Sequence, residues 1–87
     1  MAKTSIPALE GGIGCCQTAI HELNAASSDL ANAYRNAGQD WHDNKYAELG
    51  EIVGKCYSSL KKPIEDLEKR MENLKKILEY VREYEAS

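Results

Sequence analysis

Residues 36–43, NAGQDWHD, interrupt an otherwise helical pattern and decide how the chain folds. Gly38 suits the C-terminal cap of a preceding helix. Asp43 suits the N-terminal cap of a following helix, because its carboxylate can accept hydrogen bonds from the free N–H groups of Lys45 or Tyr46. The connection between the two caps is short, and short connections place helices antiparallel and side by side. The sequence therefore predicts a helical hairpin.

The arm before this turn carries a heptad stripe of apolar and small residues. Its members recur in steps of three and four, which is the spacing of one helix face. They are Leu9, Ile13, Cys16, Ile20, Leu23, Ser27, Leu30, Tyr34 and Ala37. One flank of the stripe has almost no side-chain bulk, so another helix can approach closely there. Small residues recur every seven positions along this flank, at Gly12, Ala19, Ala26 and Ala33.

The arm after the turn repeats the pattern. Its stripe consists of Tyr46, Leu49, Val53, Cys56, Leu60, Ile64, Leu67, Met71, Leu74, Leu78 and Val81. Pro63 lies inside this stripe and cannot donate to the carbonyl of Ser59, so a kink is expected there. The alternative is a new helix that begins at Pro63, but Lys62 would then be a poor cap. We favour one kinked helix.

These patterns predict an all-α chain with a single helical-hairpin domain over residues 1–87. Helix 1 is expected at about 8–37, the turn at 38–43, and helix 2 at about 44–85 with a kink near Pro63. No Val/Ile/Thr-rich stretch alternates with period two, so no strand is expected.

Composition restricts the class of protein. With 87 residues, of which 43% are hydrophobic and 29% charged, the chain makes one soluble domain. A net charge of −3 argues against a nucleic-acid partner. Residues 1–7 contain no apolar run of signal-peptide length, and no stretch is long enough to cross a bilayer. We therefore expect synthesis in the cytoplasm without a classical signal peptide, and no membrane insertion.

The chain has three cysteines, and this small, odd number favours free thiols over a disulfide framework. Cys16 and Cys56 are predicted to act as small hydrophobes on the stripes, and Cys15 to be the more exposed thiol. Folding the chain about Trp41 separates Cys16 from Cys56 along the hairpin, too far for an intrachain disulfide.

Helix 2 carries more apolar residues than a two-helix seam can cover. The excess residues are Ile52, Tyr57, Ile77 and Tyr84. Leaving such side chains in water forfeits several kcal/mol at about 25 cal/mol per Å², which is comparable with the stability of a small domain. Pairing two hairpins into a four-helix bundle recovers this free energy. We therefore expect a dimer or heterodimer.

The bend, Trp41-His42-Asp43 between two long helices in a short acidic chain, resembles the WXG100 (ESAT-6-like) family of type VII secretion. Asp43 stands where the family's Trp-x-Gly signature has glycine, and it turns the chain by capping the second helix. The family's tail signal, Tyr-x-x-x-Asp/Glu, is not met, because Tyr84 follows Tyr80 by four residues. Either a partner carries that signal, or the chain is not exported by that route.

The resemblance implies a secreted substrate of type VII secretion, or an effector partner or chaperone, and no catalysis. It implies a homodimer, or a heterodimer with another helical hairpin or with the helical N-terminal region of a larger effector. Trp41 either caps the end of the bundle core or belongs to an export-recognition surface. The candidate binding residues are Trp41, Asp43, Tyr46, Leu49, Ile52, Tyr57, Ile77, Tyr84, Ile20, Leu23 and Leu30.

Other functions find less support in the sequence. His21 and His42 have no partners at zinc-ligand spacings, and no local nucleophile signature is present, so we expect no metal, no cofactor and no catalysis. The alternative function is a generic helical adaptor or coiled-coil subunit without a role in secretion. A helical enzyme with its site between chains ranks lower, because it needs Arg or Lys facing inward.

Overall fold

The computed structural model describes residues 5–86 as two helices, α1 (Ile6–Ala37) and α2 (Asn44–Ala86), joined by residues 38–43. The prediction of an all-α chain built from two long helices is confirmed for this range. Residues 1–4 and Ser87 belong to the predicted domain but lie outside the described residues, as does most of the segment considered for an export signal.

Ser5 makes α1 begin two residues before its predicted start. Its backbone is extended, with φ −86° and ψ 155°, and its Oγ accepts a hydrogen bond from the N–H of Ala8 at 3.2 Å. Pro7 occupies the first turn, where its missing N–H costs nothing. A Ser cap with a following proline is a stronger start signal than the apolar stripe itself, which begins only at Leu9.

The two predicted caps hold the turn between α1 and α2. The Oδ1 of Asp43 accepts from the N–H groups of Lys45 at 2.9 Å and Tyr46 at 3.2 Å, which confirms the predicted N-terminal cap. Gly38 caps α1 by donating its N–H to the carbonyls of Tyr34 and Arg35, both at 3.1 Å. Its φ of −73° is right-handed, so the usual left-handed preference of glycine is not the reason for a glycine here.

Helix α2 runs through Pro63 without a break. Proline offers no N–H to the carbonyl of Ser59, and both residues are exposed, so water can satisfy that carbonyl. The alternative of a separate helix that begins at Pro63 is therefore wrong, and Lys62 does not have to act as a cap.

The hairpin is a thin rod. Its extents are 67 × 18 × 17 Å and its radius of gyration is 19.6 Å, whereas a compact domain of this length has a radius of about 12 Å. The buried core lies at the end far from the turn, where Leu9, Ile13 and Leu78 form one cluster and Cys16 is also buried. Half-buried apolar residues surround the cluster, namely Ile6, Met71, Leu74 and Val81.

The assignment of Cys56 to the core stripe is wrong, because its side chain is exposed. In this part of the hairpin Tyr57 reaches a shallow groove beside Asn24 and Ser27. These α1 residues are short and polar, so they offer Cys56 no apolar surface to pack against. The placement of Cys16 in the core and of Cys15 on the surface is confirmed, and all three cysteines are free thiols.

Candidate interaction site

Two tyrosines close the hairpin next to the turn. The rings of Tyr34 and Tyr46 are stacked, with centroids 4.3 Å apart and planes inclined by 2°. Each hydroxyl donates to the backbone carbonyl of the other residue, at 3.2 Å from Tyr34 and at 2.9 Å from Tyr46. We call this reciprocal pair the tyrosine clasp. It joins α1 to α2 where the apolar cluster does not reach.

A glycine lies under each hydroxyl of the tyrosine clasp. A Cβ on Gly38 would overlap with the Tyr46 hydroxyl and lie 3.0 Å from Cε1 of that ring. A Cβ on Gly50 would overlap with the Tyr34 hydroxyl and lie 2.9 Å from its Cζ. Gly38 is four residues after Tyr34, and Gly50 is four residues after Tyr46. Because each glycine has no side chain, the hydroxyl of the opposite tyrosine can reach the backbone carbonyl one turn before it. Close approach explains both glycines.

The tyrosine clasp also changes the pKa of the Tyr46 side chain. Loss of solvent contact raises the pKa of the Tyr46 phenol above its ordinary value, and the hydrogen bonding with Tyr34 raises it further. The nearby Arg35 opposes this change through its positive charge. A neutral, protonated Tyr46 is therefore part of the folded hairpin.

Trp41 packs on the outer side of the clasp. Its ring centroid lies 5.6 Å from that of Tyr46, at an interplanar angle of 54°. The side chain is half-buried, while its neighbours His42 and Asp43 are exposed. Trp41 thus covers the turn end of the hairpin and keeps part of its ring in solvent, an arrangement that suits either of its two predicted roles.

One face of the hairpin is charged. The Nη2 of Arg82 lies 3.3 Å from the Oε2 of Glu10 and links the two helices along this face. Both residues come one position after a core residue, Leu9 or Val81. Because successive helical residues are about 100° apart, other residues that follow core positions share this face. They include Lys61, Glu65, Glu68, Glu72 and Lys75, which line its shallow grooves.

The opposite face is apolar or small-sided along much of α1 and at both ends of α2, and polar in the middle of α2; we call it the apolar face. Its residues come one position before core residues, or continue that spacing of three and four residues. On α1 they are Ala8, Gly12, Cys15, Ala19, Ala26 and Ala33, interrupted by Glu22 and Asp29. On α2 the apolar members are Ile52, Cys56, Pro63, Ile77, Tyr80 and Tyr84. The large ones are exposed by 59% for Ile52, 45% for Ile77, 74% for Tyr80 and 78% for Tyr84.

The predicted binding residues fall into three places. Trp41, Asp43 and Tyr46 lie together at the turn, and Ile52, Ile77 and Tyr84 lie on the apolar face. Tyr57 is also exposed, but it lies on the charged side, in the grooves lined by Asn24, Lys61 and Gly54. The remaining candidates are half-buried between the helices, where they hold the hairpin together: Ile20, Leu23, Leu30 and Leu49.

Two features escaped the sequence analysis. Tyr80 belongs to the apolar face, and its spacing of three and four residues from Ile77 and Tyr84 was the available signal. The tyrosine clasp was also missed, although Tyr-x-x-x-Gly occurs twice, at Tyr34 to Gly38 and at Tyr46 to Gly50. These two motifs are placed symmetrically about residue 42, as two interlocking helices require.

Among residues 5–86 no group of three His, Cys, Asp or Glu side chains is arranged to hold a metal ion. No helix in that range has a stretch both long and apolar enough for a membrane span. Most of the large apolar side chains that are exposed among the described residues lie on the apolar face.

Comparison with known proteins adds no assignment to this geometry. No model of a protein family, no curated protein and no solved structure matches the chain.

Proposed function

We propose that this chain is a non-enzymatic interaction protein that pairs through its apolar face with another helical hairpin. The product is a four-helix bundle, either a homodimer or a heterodimer. We further propose that it serves type VII secretion as a WXG100-like substrate, effector partner or chaperone. A partner hairpin can be a separate small protein or the helical N-terminal region of a larger effector.

The observation that carries the pairing is the exposure of large apolar side chains along one face. Ile52, Ile77 and Tyr80 together leave much of their area in water, whereas few side chains of the hairpin are buried. Exposed apolar surface of this extent marks interaction sites, because burial contributes about 25 cal/mol per Å². The charged face, with balanced signs, gives no comparable reason to associate.

The role in secretion is supported by the turn. Trp41 and Asp43 occupy the first and third positions of the Trp-x-Gly signature, and Asp43 replaces the turning glycine with a cap to Lys45 and Tyr46. Trp41 keeps part of its ring exposed at the tip of the hairpin. Because Tyr84 follows Tyr80 at the position where the tail signal needs an acid, a partner would supply that signal.

Sedimentation equilibrium of the purified chain over a wide concentration range tests the pairing. We expect a mass above that of one chain, or a one-to-one complex with the hairpin protein encoded by a neighbouring gene. A double substitution on the apolar face, Ile77→Glu with Tyr80→Glu, should abolish either complex. Tyr57→Glu on the charged side is the matched control and should leave it intact.

Export is tested in the source organism. The proposal expects the chain in the culture medium, and its loss from the medium when the type VII secretion ATPase is deleted. The pairing is contradicted by a chain that stays monomeric with every neighbouring hairpin, or by a chain that associates equally well after the apolar-face substitution. A paired chain whose export does not depend on the ATPase favours the generic helical adaptor instead.

A further inference from the structure

We infer that the partner which fits the apolar face is a second copy of this chain, with its α2 antiparallel to the first. This inference rests on the proposed function and goes further, because it names the occupant and the register. It depends on four observations: the symmetry of the α2 stripe, its central charges, the small residues of α1 and the exposed area.

The apolar face of α2 is apolar at both ends and polar in its middle. Its stripe runs from Ile52 to Tyr84 in alternating steps of four and three residues. Between the apolar ends lie Ser59, Pro63, Asp66, Arg70 and Asn73. A second helix laid parallel would place like charges together at the centre. Apolar ends meet apolar ends in either direction, so the central charges decide, and an antiparallel helix places Asp66 opposite Arg70.

The stripe is symmetric about position 68. Every member has a counterpart at the same distance on the other side, so a two-fold axis at this position pairs each member with another member. The pairs are Ile52 with Tyr84, Cys56 with Tyr80, Ser59 with Ile77, Pro63 with Asn73, and Asp66 with Arg70. Any stripe of alternating steps is symmetric in position, but in this chain the pairing also joins apolar residues at both ends and opposite charges at the centre, as a two-fold interface between identical chains requires.

The central pair gives this arrangement its charge complementarity. Asp66 of one copy meets Arg70 of the second, and the axis repeats the contact, so two opposite-charge pairs form. Asp66 is held on the surface by Lys62, with 3.0 Å between the Lys62 Nζ and the Asp66 Oδ1. This contact also raises the pKa of Lys62, through the hydrogen bond and charge of Asp66. Arg70 makes no ion pair within the described residues, and the second copy provides one.

Three small residues of α1, Gly12, Ala19 and Ala26, are evenly spaced about the same level of the hairpin. A Cβ on Gly12 would lie 3.2 Å from the Leu74 Cδ1, and Leu9 clusters with Leu78. At this register, position 68 of α2 is level with Ala19 of α1. Gly12 and Ala26 are each seven residues from Ala19, so the same axis places Gly12 opposite Ala26 and Ala19 opposite itself. Such small side chains let two α1 helices approach closely.

The exposed area fits an obligate pair. The chain exposes 6802 Å², against about 5,100 Å² for a compact monomer of its mass. The excess, about 1,700 Å² per chain, lies within the range of about 1,000 to 2,500 Å² that each subunit of an obligate homodimer buries. The paired stripe, from residue 52 to residue 84, is about 48 Å long at the rise of an α-helix.

Charge reversal tests the register. Asp66→Arg and Arg70→Asp should each raise the dimer dissociation constant by about tenfold, since two exposed pairs change from attraction to repulsion. An equimolar mixture of the two variants should recover dimers, because the acidic variant then meets the basic one at both pairs. Glu72→Arg on the charged face makes the same change in net charge as Asp66→Arg and should leave the constant unchanged.

Disulfide trapping gives a second measurement. In a chain with Cys15→Ser and Cys16→Ser, the substitution Tyr80→Cys should form a covalent dimer with the native Cys56 of the second copy under mild oxidation. Adding Cys56→Ser should prevent that dimer. Covalent dimers that persist without Cys56 would mean that position 80 meets itself, and would overturn the antiparallel register.

The outcomes separate this inference from the proposed function. A wild-type chain that is monomeric alone, but pairs with a different hairpin through Ile77 and Tyr80, overturns the second copy and keeps the function. Dimers insensitive to both charge reversals overturn the register. Dimers that also ignore the apolar-face substitution contradict the proposed pairing itself.

Discussion

Substituting Gly50 by alanine tests the packing of the tyrosine clasp. In the interior of a helix, glycine is less favourable than alanine by about 1 kcal/mol, so this substitution would ordinarily stabilise α2. At Gly50 the new Cβ overlaps with the hydroxyl of Tyr34. Tyr34 cannot yield by a small rotation, because its ring is stacked on Tyr46 and its hydroxyl is bonded to the Tyr46 carbonyl.

The magnitude follows from what the displaced ring loses. The hydrogen bond contributes about 0.5 to 1.5 kcal/mol and the stacked pair about 0.5 to 1.5 kcal/mol beyond its buried area. Losing both costs about 2 kcal/mol, which exceeds the helix gain of about 1 kcal/mol. The expected net loss is about 1 kcal/mol, or roughly 4 to 8 °C in Tm for a chain of this size.

Gly54→Ala is the matched control. Gly54 lies in the same helix, one turn further on, and nothing lies within 4 Å of the Cβ it would gain. We expect this variant to be more stable than the wild type by about 1 kcal/mol. The free energy of unfolding is measured for both by urea denaturation, at one fixed protein concentration because association contributes to apparent stability.

The reasoning is refuted if the two glycine variants gain equal stability. Equal gains would mean that Tyr34 moves away from Gly50 without loss, and therefore that the clasp does not hold the two helices together. A Tyr34→Phe variant makes the comparison sharper, since it removes the hydroxyl that meets the new Cβ. Gly50→Ala should then be less destabilising in the Phe background than in the wild type.

Three further predictions concern the core, the clasp and the turn. Leu78→Ala, in the buried cluster, should lower the free energy of unfolding by about 2 to 3 kcal/mol in urea titrations; a loss below about 0.5 kcal/mol would contradict its burial. Because the folded-state pKa of Tyr46 is raised from 10.0, its contribution to stability is present below pH 10 and is lost as the pH rises further. Unfolding at a series of alkaline pH values should thus show a steeper fall for the wild type than for Tyr46→Phe. Trp41→Ala should lower Tm and leave export unchanged if Trp41 only covers the turn end; lost export from a chain of normal Tm would assign it to a recognition surface.

Much of this fold could be predicted because it depends on periodicity and caps. The apolar stripes gave two helices, and Asp43 gave the start of the second. Ser5 was overlooked because its signal is a cap ahead of the apolar pattern. Cys56 was misplaced because the stripe does not show what lies opposite it, and Asn24 and Ser27 of α1 offer no apolar surface there.

The tyrosine clasp shows what periodicity leaves out. The stripe includes Tyr34 and Tyr46 as apolar members, yet each also needs a carbonyl acceptor and room beside a glycine. That room is a property of the opposite helix, so it appears only when both helices are considered together. The symmetric placement of the two Tyr-x-x-x-Gly motifs about residue 42 could have revealed it.

The proposed two-fold pairing explains why the turn end of the hairpin needs contacts of its own to hold α1 against α2. With Ile52 opposite Tyr84 of the second copy, Ala86 of that copy is level with Gly50, so residues 38–49 extend beyond the described part of its α2, by about 9 Å along the first copy's α2. The described helices of the second copy stop short of this end, and the apolar cluster around Leu78 lies at the other. Among the described residues, the tyrosine clasp and Trp41 hold this end together. The same geometry leaves Trp41 accessible at both ends of the bundle, where a secretion component could bind it without disturbing the dimer.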